Sequence, residues 1–359
     1  MNLKLYLVIV LLLGMSCTNK VKENNIQTVD QSKIETIDIK LEKHSVEGKL
    51  LNPTKIGISE NKLIFLNNVD GTFLSIYENE KQDYKFCGNQ LHKGKGKGEI
   101  AREIDNHTFR VKGNKVEFCD LLNIYEYNIE GTPNKKLTSL FEFDRSYFPV
   151  NCGFRLYNNY YFKNTTPRGP KIERLFQCTD GKSTKEVYPF PTDLLSKSDA
   201  NKGRGNLWQI FAGSYAIDPQ DKKMFISYQN FPQIDIIDTQ EMKKMGTIRY
   251  AEQRKTTFFD GNQYAPSSKN YIYGNEIYTT KNRVYALILE QSKETLSTID
   301  FENPSVLPYI LVIDMDGKPQ YRLNLDHLIL SFAVSEDDTM LYGASPFESN
   351  TIFSYNLKN

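Results

Sequence analysis

Histidine and tryptophan are scarce in this chain, and their scarcity excludes several chemistries. The four histidines, His44, His92, His107 and His327, stand far apart and form no HExxH or paired spacing, so the sequence supports neither a zinc centre nor a histidine-based triad. No GxSxG elbow is present. Trp208 is the single tryptophan, which removes tryptophan-docking repeats, and sialidase-type Asp boxes are absent as well. Of the five cysteines, Cys87, Cys119, Cys152 and Cys178 are spaced too widely for a CxxC metal or redox motif. Free, buried thiols are expected of them, although an exported chain would meet conditions that can oxidise thiols. Neither sign of charge is in excess, with 45 Lys plus Arg against 44 Asp plus Glu, so no global field would gather nucleic acid. Long apolar runs are missing too. The run "LYLVIVLLL", Leu5 to Leu13, falls well short of the roughly 20 residues of a spanning helix.

What is abundant is aromatic. The 22 Tyr and 21 Phe, with a mean hydropathy of -0.52, suit pleated, half-buried strands and point to an all-β chain. The apolar run after Lys4 has the length of a signal-peptide core, which is removed rather than embedded. The residues after it, "GMSC", resemble a bacterial lipobox, with Gly14 where Leu is usual and Leu13 one position further back. That resemblance implies a signal peptide over residues 1–16 and a lipidated first mature residue, Cys17. It also implies a place in the cell envelope, anchored to the outer membrane on its periplasmic or surface side, because two or more acyl chains hold a protein stably. The following "TNKVKENNIQTVDQSK" has no aromatic and few apolar residues, so residues 17–33 read as the lipidated Cys and a flexible tether.

The organisation of the rest appears when short polar turns are aligned. "ISENKLIFL", "VKGNKVEFC", "LYNNYYFKN", "DPQDKKMFIS", "TKNRVYALI" and "SEDDTMLYG" each set an Asn- or Asp-rich turn before an apolar strand. Their turn residues Asn61, Asn114, Asn158, Asp221, Asn282 and Asp337 lie 44 to 63 residues apart, a period that fits a four-stranded blade with variable loops. A further strand follows each turn: "FLSIYEN", "LNIYEYN", "IERLFQC", "QIDIIDT", "ILVIDMD" and "TIFSYNL". Each unit therefore reads as strands A to D of an antiparallel sheet. The last unit has no room for strand D, since "TIFSYNL" runs almost to Asn359, whereas "KIETIDIKL" alternates before the first unit and has no blade of its own. Ile34 to Leu41 is therefore expected to form the outer strand of blade six and to close the ring. Residues 34–359 become one six-bladed β-propeller domain.

In architecture the chain resembles the TolB-like and NHL-like six-bladed β-propeller lipoproteins of Gram-negative bacteria. The best local match is "GKGKGE", Gly94 to Glu99, where such propellers carry GxGPGE after the outer strand of a blade; Lys97 stands where the family favours Pro. The same glycines do not make a phosphate loop, because Glu99 follows Gly98 and would repel a phosphate. Gly94, Gly96 and Gly98 are expected to permit positive φ or close backbone approach as the chain crosses from blade one to blade two.

Loop lengths carry the functional signal. The A–B and C–D turns are tight, whereas the long insertions are B–C loops or D–A crossovers, which share the opposite face of a propeller. Variable loops on a rigid scaffold are where binding usually sits. The candidate contacts on that face are Arg168, Arg204, Trp208, Tyr228, Asn230, Arg254 and Tyr264, residue types that combine area with directed hydrogen bonds. The leading expectation is a monomeric, membrane-anchored envelope propeller that binds a protein, peptide or glycan and needs no cofactor. One alternative is a calcium-dependent hydrolase or lactonase, which would show three or more acidic or Asn side chains converging in the central channel. The other is a structural envelope protein, whose channel would be plugged by apolar side chains.

Overall fold

The structure, a computed structural model, describes residues 25–30, 33–131, 136–147, 150–164, 174–196, 199, 206–300 and 304–358. Three short strands come first: β1 (Asn25–Thr28), β2 (Glu35–Asp38) and β3 (Glu42–Ser45). Blade one is β4 (Pro53–Ser59), β5 (Lys62–Val69), β6 (Thr72–Glu80) and β7 (Asp83–His92). Blade two is β8 (Arg110–Lys112), β9 (Lys115–Cys119), β10 (Asn123–Asn128) and β11 (Leu137–Glu142). Blade three is β12 (Val150–Leu156), β13 (Asn159–Asn164), β14 (Arg174–Thr179) and β15 (Thr184–Pro189). Blade four is β16 (Gly213–Ile217), β17 (Lys223–Tyr228), β18 (Gln233–Asp238) and β19 (Lys243–Arg249). A small hairpin follows, β20 (Phe259–Asp260) with β21 (Gln263–Tyr264). Blade five is β22 (Tyr271–Thr279), β23 (Arg283–Ser292), β24 (Tyr309–Asp314) and β25 (Pro319–Asn324). Blade six is β26 (Ser331–Val334), β27 (Met340–Ala344), β28 (Thr351–Asn356) and, from the other end of the chain, β3. The protein is an all-β, six-bladed propeller of four-stranded antiparallel blades.

Each blade must bury both faces of its sheet, and the core is accordingly divided among the blade seams. Phe65, Tyr77 and Ile56 of blade one meet Ala333, Tyr342 and Ile352 of blade six. Ile64 and Phe73 of blade one meet Phe118 and Tyr127 of blade two. This is why strands such as "RVYALILEQS" (β23) read as near-continuous apolar runs rather than as alternating ones: neighbouring blades cover both sides. Among the described residues no helix is long and apolar enough to cross a membrane.

All six polar turns fall between strands A and B of their blades, as their spacing implies. Positive φ at Glu60, Gly113, Tyr157, Asp221 and Asp338 gives five of those turns the left-handed residue that a tight hairpin needs. In blade five the Thr280 hydroxyl does the work instead, accepting from the backbone N–H groups of Asn282 at 3.3 Å and Arg283 at 3.1 Å. The glycine-rich loop is folded around its own acid. Glu99 turns back and accepts from the Gly96 N–H at 2.7 Å, and a Cβ on Gly94 would stand 2.0 Å from the same carboxylate. Gly98 takes φ +83°, so the loop is a tight structural crossing whose anion site is already filled by its own side chain.

Ring closure differs in register from the sequence expectation. The outer strand of blade six is not Ile34 to Leu41 but Glu42–Ser45, which pairs antiparallel with β28. Glu35–Asp38 instead adds a fifth strand, parallel, to the outside of blade five, paired with β25. The reason lies in the side chains: Ile39 and Leu41 drop into the seam between blades five and six, so they cannot also lie along blade six. β3 itself, "EKHS", is polar and mostly exposed, as an outermost strand permits, and therefore leaves no hydrophobic pattern to read. The tether expectation is also corrected in part, because Asn25–Thr28 pairs in parallel with β19 of blade four. The N-terminal segment thus runs along the outer edges of blades four, five and six in turn.

Deleting Glu42–Ser45 should therefore remove the cooperative thermal transition. Removing residues up to Thr28 should leave a folded ring destabilised by about 1–3 kcal/mol, the worth of a few edge hydrogen bonds; calorimetry of the two truncations separates these outcomes.

Candidate functional site

Two regions of this fold can do chemistry or recognition: the central channel and the loop face. The channel is lined by the inner strands of all six blades and holds a cavity of about 170 Å³ that extends to the A–B turns at Lys112, Pro219, Thr280 and Glu336. In it, Lys55 from blade one makes an ion pair with Glu276 from blade five, both nearly out of solvent. Burial pushes the Glu276 carboxyl upward and the Lys55 ammonium opposes it. Asp105, just before blade two, accepts from the N–H of His107 at 3.0 Å and from the N–H of Cys152 at 2.6 Å, tying blade two to blade three. His107 Nδ1 and the Tyr215 hydroxyl are buried in the lining without a hydrogen-bond partner. Desolvation pushes the His107 imidazole down to about 4 against the pull of Asp105, and drives the Tyr215 phenol well above its ordinary 10.

Near the mouth, Arg110 and Lys112 converge on Asp221 of blade four, with Lys112 at 2.8 Å. Desolvation pushes the Asp221 carboxyl up, but hydrogen bonds from those two cations outweigh it and hold it below its ordinary value. Burial raises Glu117, and Arg155 at 3.3 Å counters. Lys55 with Glu276, Arg155 with Glu117, and Arg110 and Lys112 together with Asp221 thus tie up most of the charges in and around the channel. Among the described residues no group of three or more His, Cys, Asp or Glu side chains could hold a metal ion.

The loop face is built differently. Its crossovers are ordered into a cap over blades three to five by helix α1 (Leu207–Ile210), the β20–β21 hairpin and helix α2 (Lys293–Ser297). Arg254, exposed in the crossover from blade four to blade five, stacks its guanidinium 4.1 Å from the Tyr271 ring centroid and donates to the Tyr271 hydroxyl at 2.7 Å. Its backbone N–H donates to the Tyr273 hydroxyl at 3.1 Å, which fixes the base of the side chain. Beside it on blade five, Arg322 stacks 3.7 Å from the Tyr309 ring centroid. Leu51, Leu307 and Phe347, at 43%, 38% and 42% exposure, stand on connections of the same face.

The expected contact residues divide. Arg254 is exposed as a contact must be, and Trp208 is half-buried on α1. Tyr264 is half-buried with its ring edge against Phe259 at 5.9 Å. Tyr228 and Asn230 are not surface contacts. Tyr228 is fully buried and donates to Asp235 at 2.9 Å, where Tyr188, Gln233, Thr247 and Lys244 also converge. Asn230 donates to the Ile210 carbonyl at 2.9 Å and so holds α1 in place. Both belong to the packed roof of blade four, where Phe211, Phe231 and Phe258 stack. Arg168, Arg204 and the lipidation candidate Cys17 lie outside the described residues. Three of the remaining cysteines, Cys119, Cys152 and Cys178, are free and buried as expected, whereas Cys87 is free but exposed on β7.

Sequence reasoning overlooked Lys55, Glu276, His107 and Tyr271. The signal for the first two was a lone charge inside an apolar inner strand, in "PTKIGIS" and "YIYGNEIYT".

Lys55→Met leaves the Glu276 carboxyl buried and unpaired and should cost about 3–5 kcal/mol, whereas adding Glu276→Leu should recover most of that loss; urea titrations measure both. Because the folded-state value of His107 lies below its ordinary 6.5, the stability from keeping it neutral is complete above about pH 6.5 and is lost as pH falls toward about 4. His107→Gln should flatten that part of the stability–pH curve, leaving the smaller slopes of His44, lowered by burial, and of Glu117 and Glu276, raised by it.

No curated protein matches the chain. In fold it is similar to a crystal structure of a DUF4221 family member from Bacteroides vulgatus, with a TM-score of 0.58 at 12% identity, over 91% of this chain and 99% of that one. It is also similar to a protein named as exported from Bacteroides fragilis, with a TM-score of 0.52 at 13% identity, over 89% of this chain and 99% of that one. The family model described as TolB-like 6-blade propeller-like matches residues 51–337, from the start of blade one into blade six, and the chain belongs to that family.

Proposed function

We propose that the protein is a lipid-anchored envelope propeller that recognises a protein, peptide or glycan through its loop face. The observation that carries this reading is the Arg254–Tyr271–Tyr273 group: an exposed guanidinium stacked on and bonded to Tyr271, with the backbone N–H of the same residue held by the Tyr273 hydroxyl. Bracing removes rotamer freedom before any partner arrives, so less entropy is lost on binding. Exposed Leu51, Leu307 and Phe347 supply apolar area on other connections of the same face.

The channel is a poor rival for this role. At about 170 Å³ it holds roughly six waters' share of liquid volume, below the range usual for drug-sized ligands. Its lining sets the buried Lys55–Glu276 pair among Ile56, Phe118 and Ile277, so it is not the wholly apolar plug of a purely structural ring. The metal-dependent hydrolase reading calls for three or more acidic or Asn side chains converging in the channel, and among the described residues no group of three or more His, Cys, Asp or Glu could hold a metal ion. Export and anchoring rest on the apolar core before Cys17 and on the lipobox resemblance, with the exported Bacteroides fragilis neighbour as analogy.

Two experiments test the proposal. Cys17→Ala should abolish fatty-acid labelling and release the protein from the membrane fraction; an unchanged membrane pool overturns the anchoring. Arg254→Ala with Tyr271→Phe, which keeps the packed ring, should lower affinity for any ligand found on glycan arrays or in envelope extracts by about 10–100-fold without moving Tm, since such anchors are worth about 2 kcal/mol or more. Ligands that bind this double variant as tightly as the native chain would refute the loop-face site.

A further inference from the structure

We infer that the tight-turn end of blades three and four is seated against the lipid surface, so that the loop face points away from the membrane. The inference rests on the anchoring reading above and adds an orientation that anchoring alone does not give.

The first observation is the direction of β1. Within blade four, β19 runs from the C–D turn at Lys243 to the loop face at Arg249. β1 is parallel to it, with Asn25 opposite Gly246 and Thr28 opposite Arg249. The chain therefore enters β1 from the tight-turn end and leaves it toward the loop face. The C–D turn there is joined to the A–B turn of the same blade by the Thr239 N–H, which donates to the Lys222 carbonyl at 3.1 Å, so both turns belong to one end of the molecule.

The second observation is length. Only eight residue steps separate Cys17 from Asn25, a contour of at most about 27 Å. Asn25 lies opposite the middle of β19, three positions from Lys243, so the tight-turn end is about 10 Å away along the strand. For the loop face to meet the bilayer, the anchor would have to reverse direction. A reversal consumes about four residues and leaves about 14 Å to pass both the upper half of the strand and the crossovers above it.

The third observation is independent of the anchor. Of the large apolar side chains exposed among the described residues, the two most exposed are Tyr157 at 51% and Met245 at 48%. Both stand at this end. Tyr157 occupies the A–B turn of blade three and is held there by its hydroxyl, which donates to the Asp221 carbonyl of blade four at 2.8 Å. Met245 sits on β19 one residue from the partner of Asn25. Beside it a groove of about 360 Å³ opens between blades four and five, walled by Met245, Ile236, Ile248 and Met315. Exposed charges of both signs flank the region, Lys182, Lys185, Lys222 and Lys243 among Asp180, Glu186, Glu241 and Asp316, with Lys243 paired to Glu241 at 2.8 Å. An exposed aromatic and methionine beside an apolar-walled groove make an interfacial surface, since the apolar parts enter the acyl boundary while the long lysine side chains around them keep their ammonium groups at the headgroups.

The test uses the full-length lipidated chain in membranes, in a Cys87→Ser background that removes the exposed native thiol. Lys182→Cys at the tight-turn end and Ser349→Cys on the loop face are each labelled with a fluorophore and exposed to spin-labelled phospholipid. Quenching at position 182 should exceed that at position 349 several-fold. Adding Tyr157→Ser and Met245→Ser should reduce it while the lipid on Cys17, read by mass, is retained. Equal or reversed quenching in a chain that carries its lipid overturns the orientation and leaves the anchoring intact. A chain whose mass shows no lipid overturns the anchoring reading and the orientation with it.

Discussion

The whole ring depends on one short, polar pairing, that of Glu42–Ser45 with β28. Every blade carries two apolar faces, and each seam is complete only when both its blades are in place. Were the ring open at blade six, the edge of β28 would be bare and the first and last blades would be free to separate. Phe65 and Tyr77 on one side and Ala333 and Ile352 on the other would then lose their cover. Specific bonds pin the register. His44 Nε2 lies 2.9 Å from the Ser354 hydroxyl, Lys43 reaches Glu348 at 2.8 Å, and the Val46 N–H donates to the Asn350 carbonyl at 2.9 Å. None of these bonds is strong alone; their effect is to join sequence ends more than 300 residues apart into one cooperative unit.

The two faces of the ring divide the remaining labour. The tight-turn face is laced from blade to blade by turn acids. Asp221 gathers Arg110 and Lys112 from blade two, Glu130 of blade two takes Lys62 from blade one at 2.7 Å, and Asp338 of blade six accepts from Thr280 of blade five at 2.6 Å. At the hub, the Lys55–Glu276 pair and the Asp105 bonds fix the inner strands against one another. A scaffold held this firmly at one end can carry long crossovers at the other, and there the stacked Arg254 and Arg322 are presented.

Much of this architecture could be read from the sequence, because its signals are local. An Asn- or Asp-rich turn followed by an apolar or aromatic strand depends on nothing beyond its own hairpin, and all six such turns appear where they were expected. The glycines of "GKGKGE" were legible as a crossing for the same reason, although the sequence did not say that Glu99 would fold back between them. Closure by the N-terminus followed from the missing last strand. Its register did not, because β3 is a polar outer strand without a hydrophobic signature, and Ile37, Ile39 and Leu41 alternate equally well for either blade.

The candidate site was legible only as a face. Tyr228 and Arg254 are alike in sequence as large polar-tipped residues near loops, yet one lies under the roof of blade four and the other on its surface. Burial is decided by which crossovers fold over which blade. The channel pairs were invisible for a related reason: Lys55 and Glu276 are 221 residues apart and meet only because the inner strands of blades one and five both line the central channel. The sequence by itself determined the number of blades, their turns and the family. Tertiary structure alone decided the closing strand, the path of the N-terminal segment around three blades and the pairing of buried charges. Each of those is a long-range choice among partners of equal local propensity.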